Sequence, residues 1–206
     1  MIKVVNKIPN RLGIACSGGI DSMFAISFIR KGGRDPYIIY FNHLTIHSIQ
    51  AELFVEEYCV ENKLKLITGK ISSIKEKHLS WEEFWRNERY KFFEEVSSLY
   101  GIPIITAHNL NDVMETWIFT SLHGHPKLMP YRNKNIIRPF LMTPRKEIED
   151  WCIRKNVKWL EDESNKDTKF ARNRIRHNVL PELLKIQPGL GTVLTRLMKE
   201  KYVESL

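Results

Sequence analysis

The chain has 206 residues, of which 43% are hydrophobic, and it carries a formal net charge of +8. This composition excludes fibrous and disordered classes, and no apolar run approaches the roughly 18 residues that a membrane span needs. The positive charge favours an anionic partner, nucleic acid first. Three cysteines without CxxC spacing predict neither a disulfide framework nor a metal cluster, and the amino terminus lacks an export signal. We therefore expect a cytoplasmic protein without membrane association.

Short apolar runs alternate with longer segments of helical periodicity, a pattern that predicts βαβ units and a mainly parallel sheet. The predicted strands are 12–17, 37–43, 64–71, 102–108 and 135–140. The predicted helices are 22–31, 48–62, 81–99, 111–122 and 144–155. Residues 1–156 should therefore form an α/β, Rossmann-like domain with five strands flanked by helices.

The pattern changes after residue 156, where strand-like runs stop. A polar segment leads into a basic predicted helix at 169–185, and Pro188 and Gly189 separate it from a last predicted helix at 190–203. We expect 157–206 to form a short helical extension packed on the same domain.

The segment ACSGGIDS (15–22) lies between the first predicted strand and the first predicted helix. Adjacent glycines let main-chain N–H groups approach a ligand, and the first turn of a helix attracts anions. The alternative is an ordinary turn with a serine N-cap. Two other predicted strands end in FNH (41–43) and TAH (106–108), at the edge where open α/β sheets bind ligands. This coincidence favours a phosphate site.

ACSGGIDS resembles the SGGxDS loop of the PP-loop, or N-type, ATP pyrophosphatases, which cleave ATP between its α and β phosphates. The resemblance implies that the cofactors are ATP and Mg²⁺, with Asp21 as a catalytic and metal-binding residue. It places the nucleotide against Ser17, Gly18, Gly19, Ile20, Asp21 and Ser22.

Five further stretches extend the resemblance to the tRNA(Ile)-lysidine synthases, from about residue 11 to 184. They are WRNERYKFF (85–93), TAHNLNDVMET (106–116), IRPFL (137–141), PRKEI (144–148) and DESNKDTKFARNRIRHNVLPEL (162–183). Members of that family use ATP to adenylate the wobble cytidine of tRNA(Ile) with a CAU anticodon, and free lysine then displaces AMP to form lysidine. The resemblance implies a ligase whose partners are tRNA(Ile) and free lysine.

The family pattern HxxDDxxET is matched by His108, Asp112, Glu115 and Thr116, with Asn111 in place of the first aspartate. Residues three apart share a helix face. The resemblance implies that Asp112 and Glu115 are catalytic, acting on the metal, the lysine ammonium and its proton, with Asp112 as a second metal ligand. A solvated acidic helix face is the alternative interpretation.

Arginines complete the site that the resemblance implies. Arg86 and Arg89 match the family's RxxRY element, although a surface ion-pair helix would look similar, and Arg138 lies towards the end of the predicted strand 135–140. Arg86 and Arg138 are catalytic candidates. His43 and His108 are expected beside the nucleotide, although a lone histidine is more often structural. The candidates for contact with substrate or tRNA are Arg89, Arg145, Asn165, Arg172, Asn173, Arg174 and Arg176.

The chain departs from the family in two places. SLHGHPKLMP (121–130) stands where the family has a glycine-rich loop, and we expect the family's C-terminal tRNA-binding domains to be absent. The rival hypotheses are another PP-loop tRNA-modifying enzyme, such as a 2-thiocytidine synthetase, a GMP or NAD synthetase, and a non-catalytic ATP- or tRNA-binding module. The missing CxxC pairs disfavour the thiolation enzymes. We leave a homodimer open.

Overall fold

A computed structural model describes residues 1–161 and 167–202. The strands are β1 (Gly13–Ala15), β2 (Tyr37–Asn42), β3 (Leu66–Lys70), β4 (Ile104–Ile105), β5 (Arg132–Asn133) and β6 (Ile136–Ile137). They form one sheet in the order β3-β2-β1-β4-β6-β5. All neighbouring strands are parallel except the β5–β6 pair. The predicted α/β, Rossmann-like fold is confirmed.

The helices are α1 (Ile20–Lys31), α2 (Ile46–Glu61), α3 (Trp81–Tyr100), α4 (Leu110–Leu122), α5 (Arg145–Arg154), α6 (Ala171–Arg174), α7 (Leu180–Ile186) and α8 (Leu190–Tyr202). A π-helical turn at Ile175–Val179 joins α6 to α7, within the segment predicted as one helix. Within 1–161 and 167–202, none of these helices has the length and apolar character needed to cross a membrane.

The sheet has six strands where five were predicted, and the extra one is β5. It pairs antiparallel with β6 through a hairpin in which Lys134 has a φ of 52°. The segment RNKN (132–135) is polar and shows no alternation of apolar residues, so nothing in its pattern predicts a strand.

The central strands are buried on both faces, as is typical of parallel sheets. On one face Ile14 packs with Phe24 of α1 and Phe140, whose ring centroids lie 5.0 Å apart. On the other face Ile39 packs with Phe93 of α3. Helices on both faces therefore hold the strands firmly, and the carboxyl ends of the strands provide a rigid base for a site.

The C-terminal helices pack against α4. Leu180 of α7 and Leu194 of α8 lie in one apolar cluster with Val113 and Met114 of α4. Ile175, the first residue of the π-helical turn, belongs to the same cluster. This packing brings the basic segment that follows residue 167 onto the face of α4 that carries Glu115. The boundary at residue 156 stays a prediction.

Candidate active site

The predicted site segments lie at one edge of the sheet. β1, β2, β4 and β6 are all parallel, so their carboxyl ends point the same way. The diglycine loop follows β1, His43 follows β2, His108 follows β4 and Arg138 follows β6. Residues from four separate stretches of sequence therefore meet at one edge, and three of these stretches, ACSGGIDS, FNH and TAH, were predicted to do so.

The diglycine loop presents the first turn of α1 without a side-chain cap. The N-cap is Gly19 and not a serine, so the alternative interpretation as a serine-capped turn is wrong. Gly18 has a φ of 79°, a conformation that favours glycine, and its carbonyl accepts a hydrogen bond from Leu160 N at 2.9 Å. Uncapped first-turn amides, together with the helix dipole, form an anion site.

Ser22 is buried in the loop, with 5% of its surface exposed. Its hydroxyl donates to the Gly19 carbonyl at 2.8 Å and accepts from Ser17 N at 3.2 Å. The hydroxyl therefore maintains the shape of the loop. Ser17 is exposed, so of these two serines only Ser17 presents its side chain to solvent in the loop's present form. The assignment of both residues to ATP phosphates stays a prediction.

Asn109 links the diglycine loop to α4. Its side-chain amide donates to Asp21 Oδ1 at 3.0 Å, and its Oδ1 accepts from Asn111 N at 2.9 Å as the N-cap of α4. Asp112 completes a capping box by accepting from Asn109 N at 2.8 Å. Sequence reasoning missed Asn109, which is 1% exposed, although an Asn three residues before an Asp is a capping signal.

Arg145 forms an ion pair with Asp21. Its Nη1 donates to Asp21 Oδ2 at 3.2 Å, and its Nε donates to Glu149 at 3.0 Å. Asn111, which replaces the family's aspartate, accepts from Arg145 N at 3.1 Å and so helps position the start of α5. Arg145 is thus placed beside the phosphate loop. Its predicted contact with substrate is untested.

Glu115 and Arg176 form a buried bidentate ion pair. Arg176 Nε and Nη2 donate to the two Glu115 oxygens at 2.7 and 2.9 Å, and only 6% of the Glu115 side chain is exposed. Arg176 Nη2 also lies 3.5 Å from Asp112 Oδ1. Burial raises the pKa of Glu115 against the opposing effect of Arg176. A bidentate pair of this kind fixes both side chains in one orientation.

Three carboxylates share this centre with two guanidinium groups. Burial raises the pKa of Asp21 to about 6; the Arg145 charge opposes the rise and the neighbouring Asp112 carboxylate adds to it. With all groups ionised, the carboxylates of Asp21, Asp112 and Glu115 outnumber the guanidinium groups of Arg145 and Arg176 by one, and Glu149, which also pairs with Arg145, adds a further negative charge. The centre is therefore suited to an added cation.

The chemistry of Asp21 and Asp112 fits a magnesium ion, which prefers carboxylate oxygens. Among the residues that the structure describes, no three His, Cys, Asp or Glu side chains are arranged to hold a metal by themselves. Mg²⁺ in nucleotide enzymes is commonly bound by one or two carboxylates, phosphate oxygens and water. Asp21 and Asp112 are thus sufficient as protein ligands only if a nucleotide supplies further oxygens.

Arg138 is a buried cation, with 3% of its surface exposed. Its Nη1 donates to the Pro130 carbonyl at 2.9 Å and its Nη2 to Tyr90 Oη at 3.3 Å. Its Nε has no hydrogen-bond partner within the described ranges. A buried guanidinium with an unused donor is suited to an anion.

Tyr90 of α3 is surrounded by arginines. The Arg86 guanidinium lies 4.7 Å and the Arg89 guanidinium 5.9 Å from the Tyr90 ring centroid. Burial raises the pKa of Tyr90, but the charges of Arg86, Arg138 and Arg89 outweigh it, so the pKa lies below its ordinary value. Arg86 and Arg89 therefore face a common aromatic centre, which disfavours the alternative of a surface ion-pair helix.

Both site histidines are neutral at neutral pH. Burial lowers the pKa of His108 to about 4 even though Asp112 is near, and it lowers the pKa of His43 to about 4 with help from the Arg89 charge. His108 Nδ1 lies 2.9 Å from Thr106 Oγ1. Neutral imidazoles suit hydrogen bonds to a base or a ribose better than contact with phosphate.

The structure brings only part of the basic cluster to the site. Arg172 lies 3.8 Å from Glu82 of α3, and Arg174 donates to the Thr168 carbonyl at 3.3 Å. Asn173 donates to the Asp167 carbonyl at 2.9 Å. Asn165 lies outside the described residues. Arg176 contacts the carboxylates of Glu115 and Asp112, while Arg172 and Arg174 are exposed.

The chain is similar to curated tRNA(Ile)-lysidine synthases. The chain is 35% identical over 200 residues to a tRNA(Ile)-lysidine synthase of Persephonella marina, covering 90% of this chain and 44% of the relative. It is 32% identical over 215 residues to a tRNA(Ile)-lysidine synthase of Thermosipho africanus, covering 92% and 48%. The chain thus spans about half the length of these curated relatives.

Solved structures share the fold at low sequence identity. A U34-tRNA thiolase from Methanococcus maripaludis matches with a TM-score of 0.78 and 16% identity, covering 97% of this chain and 74% of that chain. An NMN synthetase from Francisella tularensis matches with a TM-score of 0.56 and 14% identity, covering 96% and 88%. The sequence model of the PP-loop domain matches residues 2–183, which include the whole sheet and the carboxylate centre, and the chain therefore belongs to the PP-loop domain family.

Proposed function

We propose that the protein is an ATP-dependent ligase that joins lysine to ring carbon 2 of the wobble cytidine of tRNA(Ile) with a CAU anticodon. The products are lysidine in the tRNA, AMP and pyrophosphate. The proposal is supported by the names of the relatives. It rests on one observation above all, that Asn109 links Asp21 of the phosphate loop to the α4 cap that positions Asp112. Nucleotide and acceptor chemistry then share one centre.

In the first step the oxygen on ring carbon 2 attacks the α phosphorus of ATP, and the bond to the bridging oxygen of pyrophosphate breaks. The amides of the diglycine loop would hold the leaving pyrophosphate. Asp21 and Asp112 would hold Mg²⁺, which, when bound, neutralises charge on the phosphates. Arg138, with its unused Nε donor, would stabilise anionic oxygens near the reacting base.

In the second step the lysine ε-amine attacks ring carbon 2, and the carbon–oxygen bond to AMP breaks. The amine must lose a proton to become a nucleophile. Asp112 is half-buried, and within the described residues its Oδ1 makes a long contact with Arg176, so its carboxylate would bind the lysine ammonium and accept the proton that it loses. Glu115 is already bound by two Arg176 donors and would act by positioning.

The test is to incubate the protein with ATP, Mg²⁺, labelled lysine and a CAU-anticodon tRNA(Ile) transcript. We expect label on the RNA and one AMP released for each lysine incorporated. A transcript with uridine at the wobble position is the matched control and should remain unlabelled. Incorporation from a sulfur donor instead of lysine would favour the thiolation alternative. ATP and RNA binding without AMP release would favour a non-catalytic module.

Binding of tRNA should depend on salt through the exposed arginines Arg172 and Arg174. Each lost phosphate contact reduces the slope of log affinity against log salt by about 1. We expect the Arg172→Ala and Arg174→Ala variants each to weaken binding and to flatten this slope. Arg11→Ala is the control because Arg11 is exposed but precedes β1, at the opposite edge of the sheet. Equal slopes in all three variants would assign the RNA to another surface.

A further inference from the structure

An aromatic cavity of about 510 Å³ lies beside the proposed active site, and none of the steps above uses it. It opens between the ends of β2 and β3 and the start of α3. Its walls include His43, Ile71, Ile74, Lys75, Trp81 and Trp85. The volume lies within the range of about 300–1,000 Å³ that is usual for small-molecule sites.

The walls of the cavity combine aromatic rings with an unused polar atom. The ring centroids of Trp81 and Trp85 lie 5.7 Å apart, and those of Trp85 and His43 lie 5.9 Å apart. Trp81 is 58% exposed and Ile74 is 94% exposed, so apolar surface is left open to solvent. His43 Nδ1 is buried and has no hydrogen-bond partner in the described part of the chain. Such a site fits a flat ligand with a polar edge.

One cation contacts these rings, and a second lies on the same helix as both tryptophans. Lys75 Nζ is 5.3 Å from the Trp81 ring centroid. Arg89 follows Trp85 by four residues on α3, a spacing that places both on one face of the helix. The Arg89 charge also acts on His43. A nucleotide inside an RNA strand has a phosphate on each side of its base, whereas the base of ATP has phosphates on one side only.

We propose that this cavity binds an unpaired nucleobase of the RNA substrate, adjacent to the base that reacts. The inference rests on the proposed function, because it requires RNA at the sheet edge. The base stacks on Trp81 and Trp85, the neutral His43 contacts its polar edge, and Lys75 and Arg89 contact the flanking phosphates. Aromatic stacking between cations is the usual way in which proteins hold single-stranded RNA.

Binding measurements distinguish an RNA base from the adenine of ATP. The affinity of a CAU anticodon stem-loop is measured without ATP, and the affinity of ATP is measured without RNA. The Trp81→Ala variant loses the stacking of one base, so its affinity for the stem-loop should fall at least about 5-fold. The Trp81→Phe variant keeps an aromatic ring, so its affinity should stay within about 2-fold of that of the unsubstituted protein. ATP affinity should not change. Leu99→Ala is the control, since Leu99 is 79% exposed at the other end of α3.

Each outcome decides the inference. If Trp81→Ala lowers the affinity for ATP and leaves the affinity for the stem-loop unchanged, the cavity binds adenine. If it changes neither affinity, the cavity binds neither ligand. Either result overturns the inference. If the unsubstituted protein fails to bind the stem-loop, the proposed function fails as well. As a second measurement, the stem-loop should quench tryptophan fluorescence of the unsubstituted protein, and less so that of Trp81→Phe.

Discussion

The Arg176→Ala variant is expected to lose about 3–5 kcal/mol of unfolding free energy, because it leaves a buried carboxylate without its partner. Glu115 is 6% exposed on its side chain and accepts both of its charged hydrogen bonds from Arg176. Without them, burial would raise the pKa of Glu115 further, so the variant should recover part of its stability as the pH falls. Urea denaturation at several pH values measures both effects.

Two comparisons separate this effect from a general loss of positive charge. Arg172→Ala removes an arginine from the same segment, but its contact with Glu82 is 3.8 Å long and exposed, so the cost should be below about 1 kcal/mol. The double variant Glu115→Leu, Arg176→Met removes both charges and should be more stable than Arg176→Ala alone. If the double variant is the least stable of the three, the desolvation argument is wrong.

The sequence was sufficient to predict the layered fold, because buried parallel strands form continuous apolar runs that contrast with helical periodicity. It missed β5, whose two polar residues pair only because Lys134 turns the chain back onto β6. It also missed the π-helical turn at Ile175–Val179. A π-helical turn is a single turn of i→i+5 hydrogen bonds, and the residue types in IRHNV do not distinguish it from an α-helical turn.

The candidate site was likewise predictable from the sequence only in part. The diglycine loop and the acidic residues of α4 are local motifs, and their types and spacing indicate phosphate and cation chemistry directly. The pairs Arg145–Asp21 and Arg176–Glu115 join residues 124 and 61 positions apart, and they depend on how α5 and the C-terminal helices pack. The resemblance to the family predicted these arginines as substrate contacts, which stays a prediction. The structure shows that both balance carboxylates within the protein.

Asp21→Asn is expected to reduce pyrophosphate release at least 100-fold, a loss of the order seen when a group that stabilises transition-state charge is removed. The same variant should nevertheless be more stable than the unsubstituted protein at pH 8 when EDTA is present. Burial and Asp112 raise the pKa of Asp21 to about 6 despite Arg145. A carboxylate whose pKa is raised by folding costs stability once it ionises, so the unsubstituted protein loses stability as the pH rises from 4 through 6.

The free energy of unfolding of Asp21→Asn should exceed that of the unsubstituted protein by about 1–2 kcal/mol at pH 8. The difference should shrink towards pH 4, where the aspartic acid and the asparagine at position 21 are both neutral. Denaturation at pH 4, 6 and 8 measures it, and Asp35→Asn, at an exposed position, should show no such trend. If the only role of Asp21 were its bond to Arg145, the Asp21→Asn variant would be less stable than the unsubstituted protein. A charge that lowers the stability of the free protein and is still required for turnover is instead positioned to bind a ligand, because a bound cation would offset the part of its cost that Arg145 does not.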